Sequence, residues 1–123
     1  MKRILIIDDE EQIRSLLRMT LERAGYEVED APDGGIGLQL HRKNPADLII
    51  TDILMPEKEG IETIIELRRK YPDLKIIAIS GGGRLKTPEI FLTMAEKFGV
   101  NRSLVKPVNR DDLLAAVKEL IGE

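Results

Sequence analysis

Five short strand-like runs alternate along this chain with five longer stretches in which apolar residues recur at helical spacing. Four runs are apolar, namely Arg3–Ile7, Leu48–Asp52, Lys75–Ser80 and Ser103–Val105, and Tyr26–Asp30 alternates apolar and acidic residues, as a half-exposed edge strand does. Short apolar runs are typical of strands, and spacings of three and four residues are typical of amphipathic helices. Because the crossover between two parallel strands of one sheet is right-handed, this alternation predicts a parallel sheet with helices on both faces. The predicted fold class is therefore α/β, with a doubly wound sheet.

Residues between the runs mark the predicted helix ends. Asp33 and Asn109 precede the second and last helices as N-caps, and the fourth helix is predicted over Thr87–Phe98. Gly35 and Gly37 each weaken the second helix by roughly 1 kcal/mol relative to alanine. We expect that helix to be short or mobile.

Length and composition limit the classes of protein to consider. At 123 residues the chain suits one domain, residues 1–123. A net charge of −3 and 3% aromatic residues argue against direct DNA binding and base stacking. The chain has no cysteine, no apolar run of membrane-spanning length, and acids too early for a signal peptide. We therefore expect a cytoplasmic protein without a membrane contact.

Polar residues stand at the carboxyl ends of four of the runs. They are Asp8 and Asp9, Asp52, Ser80, and Lys106. A lone aspartate at a strand end is often only a helix N-cap or a turn residue. In doubly wound sheets, however, ligands bind beyond the carboxyl ends of the strands. The sequence predicts that these five side chains share one rim of the sheet.

Three carboxylates on that rim would repel one another by roughly 4 kcal/mol per pair at about 4 Å and an effective dielectric near 20. One lysine cannot balance three acids, whereas a divalent cation that prefers oxygen ligands, such as Mg²⁺, can. Scattered capping acids are the alternative. With a metal present, Asp52 could act as a nucleophile toward phosphorus, while Lys106 and Ser80 contact phosphoryl oxygens.

From end to end, the sequence resembles the receiver domains of two-component response regulators. The matching motifs are the acidic pair Asp8-Asp9, the segment Asp52–Pro56 with Gly60 after it, Ser80, and Lys106-Pro107. No single motif is specific, but together they occur in the family's order and spacing. The resemblance implies a flavodoxin-like (βα)5 fold with strand order 2-1-3-4-5.

The resemblance also implies residue roles around a bound Mg²⁺. Asp52 would be the phosphoacceptor. Asp9, Asp52 and the backbone carbonyl of Leu54 would bind the metal directly, and Asp8 would bind it through water. The protein would take part in its own phosphorylation and dephosphorylation without being an enzyme in the usual sense.

Further implied roles concern the phosphoryl group and its source. Ser80 would contact the phosphoryl group and Lys106 would pair with it, and the Lys106-Pro107 peptide bond would be cis. The donor would be a phosphohistidine on a histidine kinase or a histidine phosphotransfer protein. An unknown downstream protein would bind the face formed by strand 4, the Thr87–Phe98 helix, strand 5 and the last helix.

Three features depart from the usual family pattern. Ser103 stands where the family has an aromatic switch residue, which places an aromatic-rotamer switch in doubt. Gly81-Gly82-Gly83 lengthens the loop after strand 4, either as a flexible hinge or insertion or, less in keeping with the sequence, as a phosphate cradle. Leu54 and Gly82 offer no side chain to orient an attacking water, so slow self-dephosphorylation is expected.

Residues outside the rim favour no other chemistry. His41, the only histidine, is expected on the solvated surface, and Arg68-Arg69-Lys70 is expected to complement a helix dipole. The chain ends after its last helix, which favours a receiver without an output domain over a domain cut from a longer chain. Two alternatives stay open: an interaction module that is never phosphorylated, and a metal-dependent phosphohydrolase, which would need an acid or base at Leu54.

Overall fold

Five parallel strands form one sheet in the computed structural model, which describes residues 1–53, 59–80 and 97–122, with Glu59 by its backbone alone. The strands are β1 (Arg3–Ile7), β2 (Glu27–Ala31), β3 (Leu48–Asp52), β4 (Lys75–Ser80) and β5 (Arg102–Val105). They lie in the order β2-β1-β3-β4-β5, and every neighbouring pair is parallel. The predicted fold class and strand order are confirmed.

Helices cover both faces of this sheet. They are α1 (Glu11–Arg23), α2 (Gly34–Lys43), α3 (Glu59–Lys70) and α4, the C-terminal helix (Arg110–Ile121). Both predicted N-caps are confirmed, because Asp33 Oδ1 accepts the Ile36 N–H at 2.8 Å and Asn109 Oδ1 accepts the Asp112 N–H at 3.0 Å. None of the helices in the described part of the chain is long and apolar enough to cross a membrane.

The sheet separates two apolar clusters. Alternate side chains of a strand point to opposite faces, so Ile4 and Ile6 of β1 face one cluster while Leu5 and Ile7 face the other. The first cluster packs under α1 and α4, and the second under α3, with α2 beside it. Because both faces are covered, β3 is buried along its whole length, and its last residue, Asp52, is buried with it.

His41 corrects one prediction from the sequence. Only 3% of the residue is exposed, whereas the sequence analysis expected a solvated histidine. Its Nδ1 accepts the Ala46 N–H at 3.0 Å, and its ring packs edge-on against Tyr71 with centroids 4.5 Å apart. Burial lowers the pKa of His41 below its ordinary value. The imidazole is thus a buried structural group at the end of the sheet opposite Asp52.

Helix α2 is short, with ten residues, as its glycines predicted. Gly37, however, also has a packing role, because an added Cβ would lie only 2.8 Å from Cγ1 of Ile7 in β1. Several expectations lie outside the described residues, namely those on Leu54, on Gly81-Gly82-Gly83 and on positions 87–96 of the helix predicted over Thr87–Phe98. Lys97 and Phe98 are helical, and Gly99 follows with a φ of +75°.

Candidate functional site

The carboxyl edge of the sheet carries all five side chains that the sequence singled out. Asp8 follows β1 directly, Asp52 ends β3, and Ser80 ends β4. Lys106 follows β5, and its backbone N–H donates to the Ser80 carbonyl at 2.9 Å. The Lys106-Pro107 peptide bond is cis. Asp8, Asp52 and Ser80 are each at most 3% exposed, whereas Asp9 is exposed, so the edge is a polar pocket with a buried floor and an open acidic side.

Lys106 reaches across this pocket. Its Nζ lies 2.8 Å from Asp52 Oδ2, 2.8 Å from Glu10 Oε1 and 3.1 Å from Asp8 Oδ2. Burial alone would lower the pKa of Lys106, but the hydrogen bonds to Asp52 and Glu10 and the close Asp8 carboxylate outweigh it and raise the pKa above its ordinary value. The ammonium group therefore keeps its charge across the physiological pH range.

Asp8 is fixed by the backbone around it. Its N–H donates to the Ala31 carbonyl at 3.1 Å, its Oδ1 accepts the Glu10 N–H at 2.8 Å, and its carbonyl accepts from Arg14 at 2.8 Å. Burial raises the pKa of the Asp8 carboxyl, while the hydrogen bond from the Glu10 N–H and the nearby Lys106 ammonium oppose that rise. An additional positive charge in the pocket would therefore stabilise the ionised form of this carboxyl.

Gly60 lets helix α3 approach Asp52 closely. An added Cβ at Gly60 would overlap the Asp52 carbonyl oxygen and would lie 2.8 Å from the carbonyl carbon and oxygen of Ile53. Both of those neighbours are backbone atoms, which cannot swing aside. Gly60 was part of the motif noted in the sequence, and its contact explains why a residue without a side chain stands there.

Glu10 was missed by the sequence analysis. One carboxylate oxygen from each of Asp8, Asp9, Glu10 and Asp52 lies within 4.8 Å of the others. Glu10 is the residue before α1, and the signal in the sequence was its place as the third consecutive acid after β1. Unlike Asp8 and Asp52, it is exposed, with 60% of its side chain accessible.

The donor set fits a hard divalent cation such as Mg²⁺. All four groups offer oxygen, the ligand that Mg²⁺ prefers, and exposed donors leave room for the waters that it keeps. Among the described residues, Asp8 Oδ2 is a buried oxygen without a hydrogen-bond partner, with only the ion-pair contact to Lys106. Burying an anionic oxygen costs free energy unless hydrogen bonds or a cation replace its contacts with water. A metal ion would supply that compensation to Asp8 Oδ2, which makes this oxygen a suitable ligand.

Ser103 lies in β5 beside Ala78 of β4. Its Oγ is buried and has no hydrogen-bond partner among the described residues. Leu54, which the resemblance would make a metal ligand through its carbonyl, lies outside those residues.

Comparison with known proteins identifies the family. The family model described as "Response regulator receiver domain" matches residues 4–118. The chain belongs to this family. It is 32% identical over 120 residues to the alkaline phosphatase synthesis transcriptional regulatory protein PhoP of Bacillus subtilis, covering 98% of this chain and 48% of PhoP. The chain thus spans about half the length of that relative.

Two solved receiver structures extend the comparison. The chemotaxis protein CheY4 of Vibrio cholerae superimposes with a TM-score of 0.88 at 32% identity, covering 98% of this chain and 99% of that chain. The response regulator TrrA of Thermotoga maritima, solved in complex with Mg(2+)-BeF, has a TM-score of 0.84 at 36% identity, covering 98% of this chain and 100% of that chain. The protein is therefore a receiver domain of two-component signalling.

Proposed function

We propose that Asp52 accepts a phosphoryl group from a phosphohistidine of a histidine kinase or a histidine phosphotransfer protein. One observation carries the proposal. A buried carboxylate at the end of β3 lies 2.8 Å from the Lys106 ammonium, within a group of three further carboxylates. This combination offers a nucleophile, a fixed cation for phosphoryl oxygens, and oxygen ligands for a metal.

The transfer exchanges one bond to phosphorus for another. A carboxylate oxygen of Asp52 forms a bond to phosphorus as the bond from phosphorus to the donor's imidazole nitrogen breaks. The imidazole nitrogen keeps the bonding electron pair and takes a proton from solvent. The Lys106 ammonium stabilises negative charge on a phosphoryl oxygen, and Ser80, at the end of the neighbouring strand, is the proposed hydroxyl donor to a second one.

We assign Mg²⁺ to the acidic side of the pocket. Asp9 and Asp52 are its proposed direct ligands together with the Leu54 carbonyl, and Asp8 is its proposed ligand through water. Bound Mg²⁺ would neutralise charge on the transferring group. The assignment is supported by the oxygen donors within 4.8 Å of one another. It is also supported by TrrA, a similar response regulator protein that was solved in complex with Mg(2+)-BeF.

The proposed output is a change in protein–protein interaction in the cytoplasm rather than enzymatic turnover of a substrate. Phosphorylation adds up to two negative charges and three acceptor oxygens at Asp52. We propose that β4, the segment between β4 and β5, β5 and the C-terminal helix form the face that a downstream protein recognises. Direct DNA binding by this domain is not proposed, because its net charge is −3.

Intact-mass measurement tests the proposal. The protein is incubated with Mg²⁺ and either acetyl phosphate or phosphoramidate, alongside Asp52→Ala and a control, Asp111→Ala, which alters an exposed acid in the first turn of the C-terminal helix. The expected result is one added phosphoryl group in the parent and the control, and none in Asp52→Ala or with EDTA. No added group from either donor, together with no binding of Mg²⁺, would overturn the proposal in favour of an interaction module.

A further inference from the structure

The position of Glu10 has a consequence for how a phosphoryl group reaches Lys106. The Lys106 Nζ donates hydrogen bonds to Glu10 Oε1 and Asp52 Oδ2, and Asp8 Oδ2 lies 3.1 Å away as a third anionic contact. An ammonium has three N–H donors, so a phosphoryl oxygen that approaches Lys106 meets a group already surrounded by three carboxylates. The three carboxylates therefore compete with the incoming group, and their burial decides which of them leaves first.

Glu10 is the contact that can be released at least cost. Asp8 and Asp52 are nearly inaccessible, so separating either from Lys106 would remove a compensating positive charge from a buried carboxylate. The Glu10 side chain is 60% exposed, and water can solvate its carboxylate once Lys106 moves away. Lys106, whose side chain is 11% exposed, keeps its contacts with Asp52 and Asp8 after Glu10 is released, so only the already accessible Glu10 carboxylate loses a partner.

The backbone keeps Glu10 in place beside the pocket. Its N–H donates to Asp8 Oδ1 at 2.8 Å, and its carbonyl accepts the Arg14 N–H at 3.1 Å in the first turn of α1. Its side chain is thus carried on the segment between β1 and α1, while Lys106 follows β5. The pair bridges two loops on the solvent side of Asp52, since both Asp52 and Asp8 lie deeper.

We propose that Glu10 is a positioning residue that holds Lys106 against Asp52 and gives up this contact to a phosphoryl oxygen. The inference rests on the proposed function. Through the same negative charge, Glu10 attracts a metal ion to the four-carboxylate group and repels an anionic phosphodonor. Glu10 therefore affects the two ligands of the site in opposite directions.

The test compares Glu10→Gln with a matched control, Glu11→Gln. Both variants remove one negative charge from neighbouring exposed residues, but Glu11 is outside the four-carboxylate group. We measure Mg²⁺ affinity by calorimetry without any phosphodonor, and the rate of phosphorylation by acetyl phosphate at saturating Mg²⁺. The expected changes in Glu10→Gln are a Kd for Mg²⁺ that rises about three- to fivefold and a phosphorylation rate that also rises about three- to fivefold.

Damage to the site would lower both the Mg²⁺ affinity and the phosphorylation rate. A lower Mg²⁺ affinity together with a faster phosphorylation therefore indicates the proposed role of Glu10. The Glu11→Gln protein is expected to keep parent-like values. Added salt is expected to reduce the differences in Mg²⁺ affinity and in phosphorylation rate between Glu10→Gln and the parent. Exposed charges are screened over a Debye length of about 8 Å at physiological ionic strength. Glu10→Ala is expected to shift both quantities in the same directions as Glu10→Gln.

Two results would overturn the inference, and they are distinguishable. If the parent is phosphorylated but Glu10→Gln matches it or is slower at saturating Mg²⁺, the role of Glu10 is wrong and the proposed function stands. If the parent takes up no phosphoryl group under any of these conditions, the proposed function fails and the inference fails with it.

Discussion

Asp52 illustrates how burial and charge are balanced at one residue. The side chain lies at the end of a fully buried strand, where an isolated carboxylate would be costly. The Lys106 ammonium, 2.8 Å away, compensates that cost. Lys106 contacts Asp52 before any ligand binds. When a ligand binds at Asp52, the ammonium group can therefore exchange some of its contacts for contacts with that ligand.

His41 leads to a prediction on pH. Its pKa is lowered by burial, so between its folded pKa and the ordinary value of 6.5 the unfolded chain binds the proton more readily. The contribution of neutral His41 to stability is therefore complete above pH 6.5 and is lost as the pH falls through the folded pKa. We expect the free energy of unfolding in urea to fall more between pH 7.5 and 5.5 in the parent than in His41→Asn.

The His41→Asn variant is a suitable control because asparagine can still accept the Ala46 N–H but does not titrate. All carboxylates are the same in both proteins, so the effects of their protonation cancel in the comparison. An equal loss of stability in the two proteins would contradict the account of His41.

At the level of single residues, the sequence predicted which groups cluster but not how each is buried. The five rim residues could be found because each follows an apolar run. The burial of His41 could not, because it depends on Tyr71, thirty residues further along the chain. The contact of Glu10 with Lys106 could not either, since it joins residues that are 96 positions apart.

Secondary-structure elements were more predictable than their packing. The bounds of β1 and β4 match the sequence prediction, because those apolar runs are sharply delimited by charged or polar residues. Helical spacing alone was less informative about which side chains are inside. Leu16 and Ile65 fit the apolar spacing of their helices, yet they are 56% and 47% exposed.

The two glycines of α2 give a paired prediction at this scale. An added Cβ at Gly35 would make only an ordinary contact at 3.4 Å with Asp33, whereas at Gly37 it would collide with buried Ile7. We expect Gly35→Ala to stabilise the protein by up to about 1 kcal/mol through helix propensity. Gly37→Ala should destabilise it by about 1–3 kcal/mol through overpacking.

Urea unfolding of both variants measures these two effects under identical conditions. If Gly37→Ala were as stable as Gly35→Ala, the close approach of α2 to β1 would not constrain position 37. The weakening of the helix by its glycines, noted from the sequence, would then be their only consequence.

Across the whole molecule, the two ends of the sheet differ in how they are held. At the end opposite Asp52, Arg68 of α3 donates to the Gly99 carbonyl at 3.1 and 2.7 Å and to the Pro72 carbonyl at 2.6 Å. These contacts tie the residues before β5 to the end of α3. At the Asp52 end, Lys106 holds charged groups whose contacts a ligand would change.

This difference between the two ends of the sheet predicts which parts of the molecule change on phosphorylation. Lys106 lies between β5 and the C-terminal helix, so its movement toward a phosphoryl group should shift the amide resonances of both. The amides near His41 and Tyr71 should keep their positions. NMR spectra with and without beryllofluoride in the presence of Mg²⁺ measure this, and changes confined to Asp8, Asp9 and Asp52 would contradict a switch that reaches the C-terminal helix.

At the scale of the fold, the alternation of strands and helices was sufficient to predict a doubly wound parallel sheet. The order of its strands was implied by the resemblance to receiver domains, since alternation alone does not fix which strands are neighbours. The networks that hold the sheet ends could not be predicted, because Arg68 bonds to backbone carbonyls, which any residue provides.

Locating the phosphorylated side chain by mass spectrometry distinguishes Asp52 from the other acids of the pocket. Borohydride reduces an acyl phosphate to an alcohol, so an aspartyl phosphate becomes homoserine, which peptide mass spectrometry can locate. After phosphorylation with acetyl phosphate and Mg²⁺, we expect homoserine at position 52 alone. A reduced side chain at Asp8, Asp9 or Glu10, or a phosphoryl group retained on His41, would contradict the assignment of Asp52 as the phosphoacceptor.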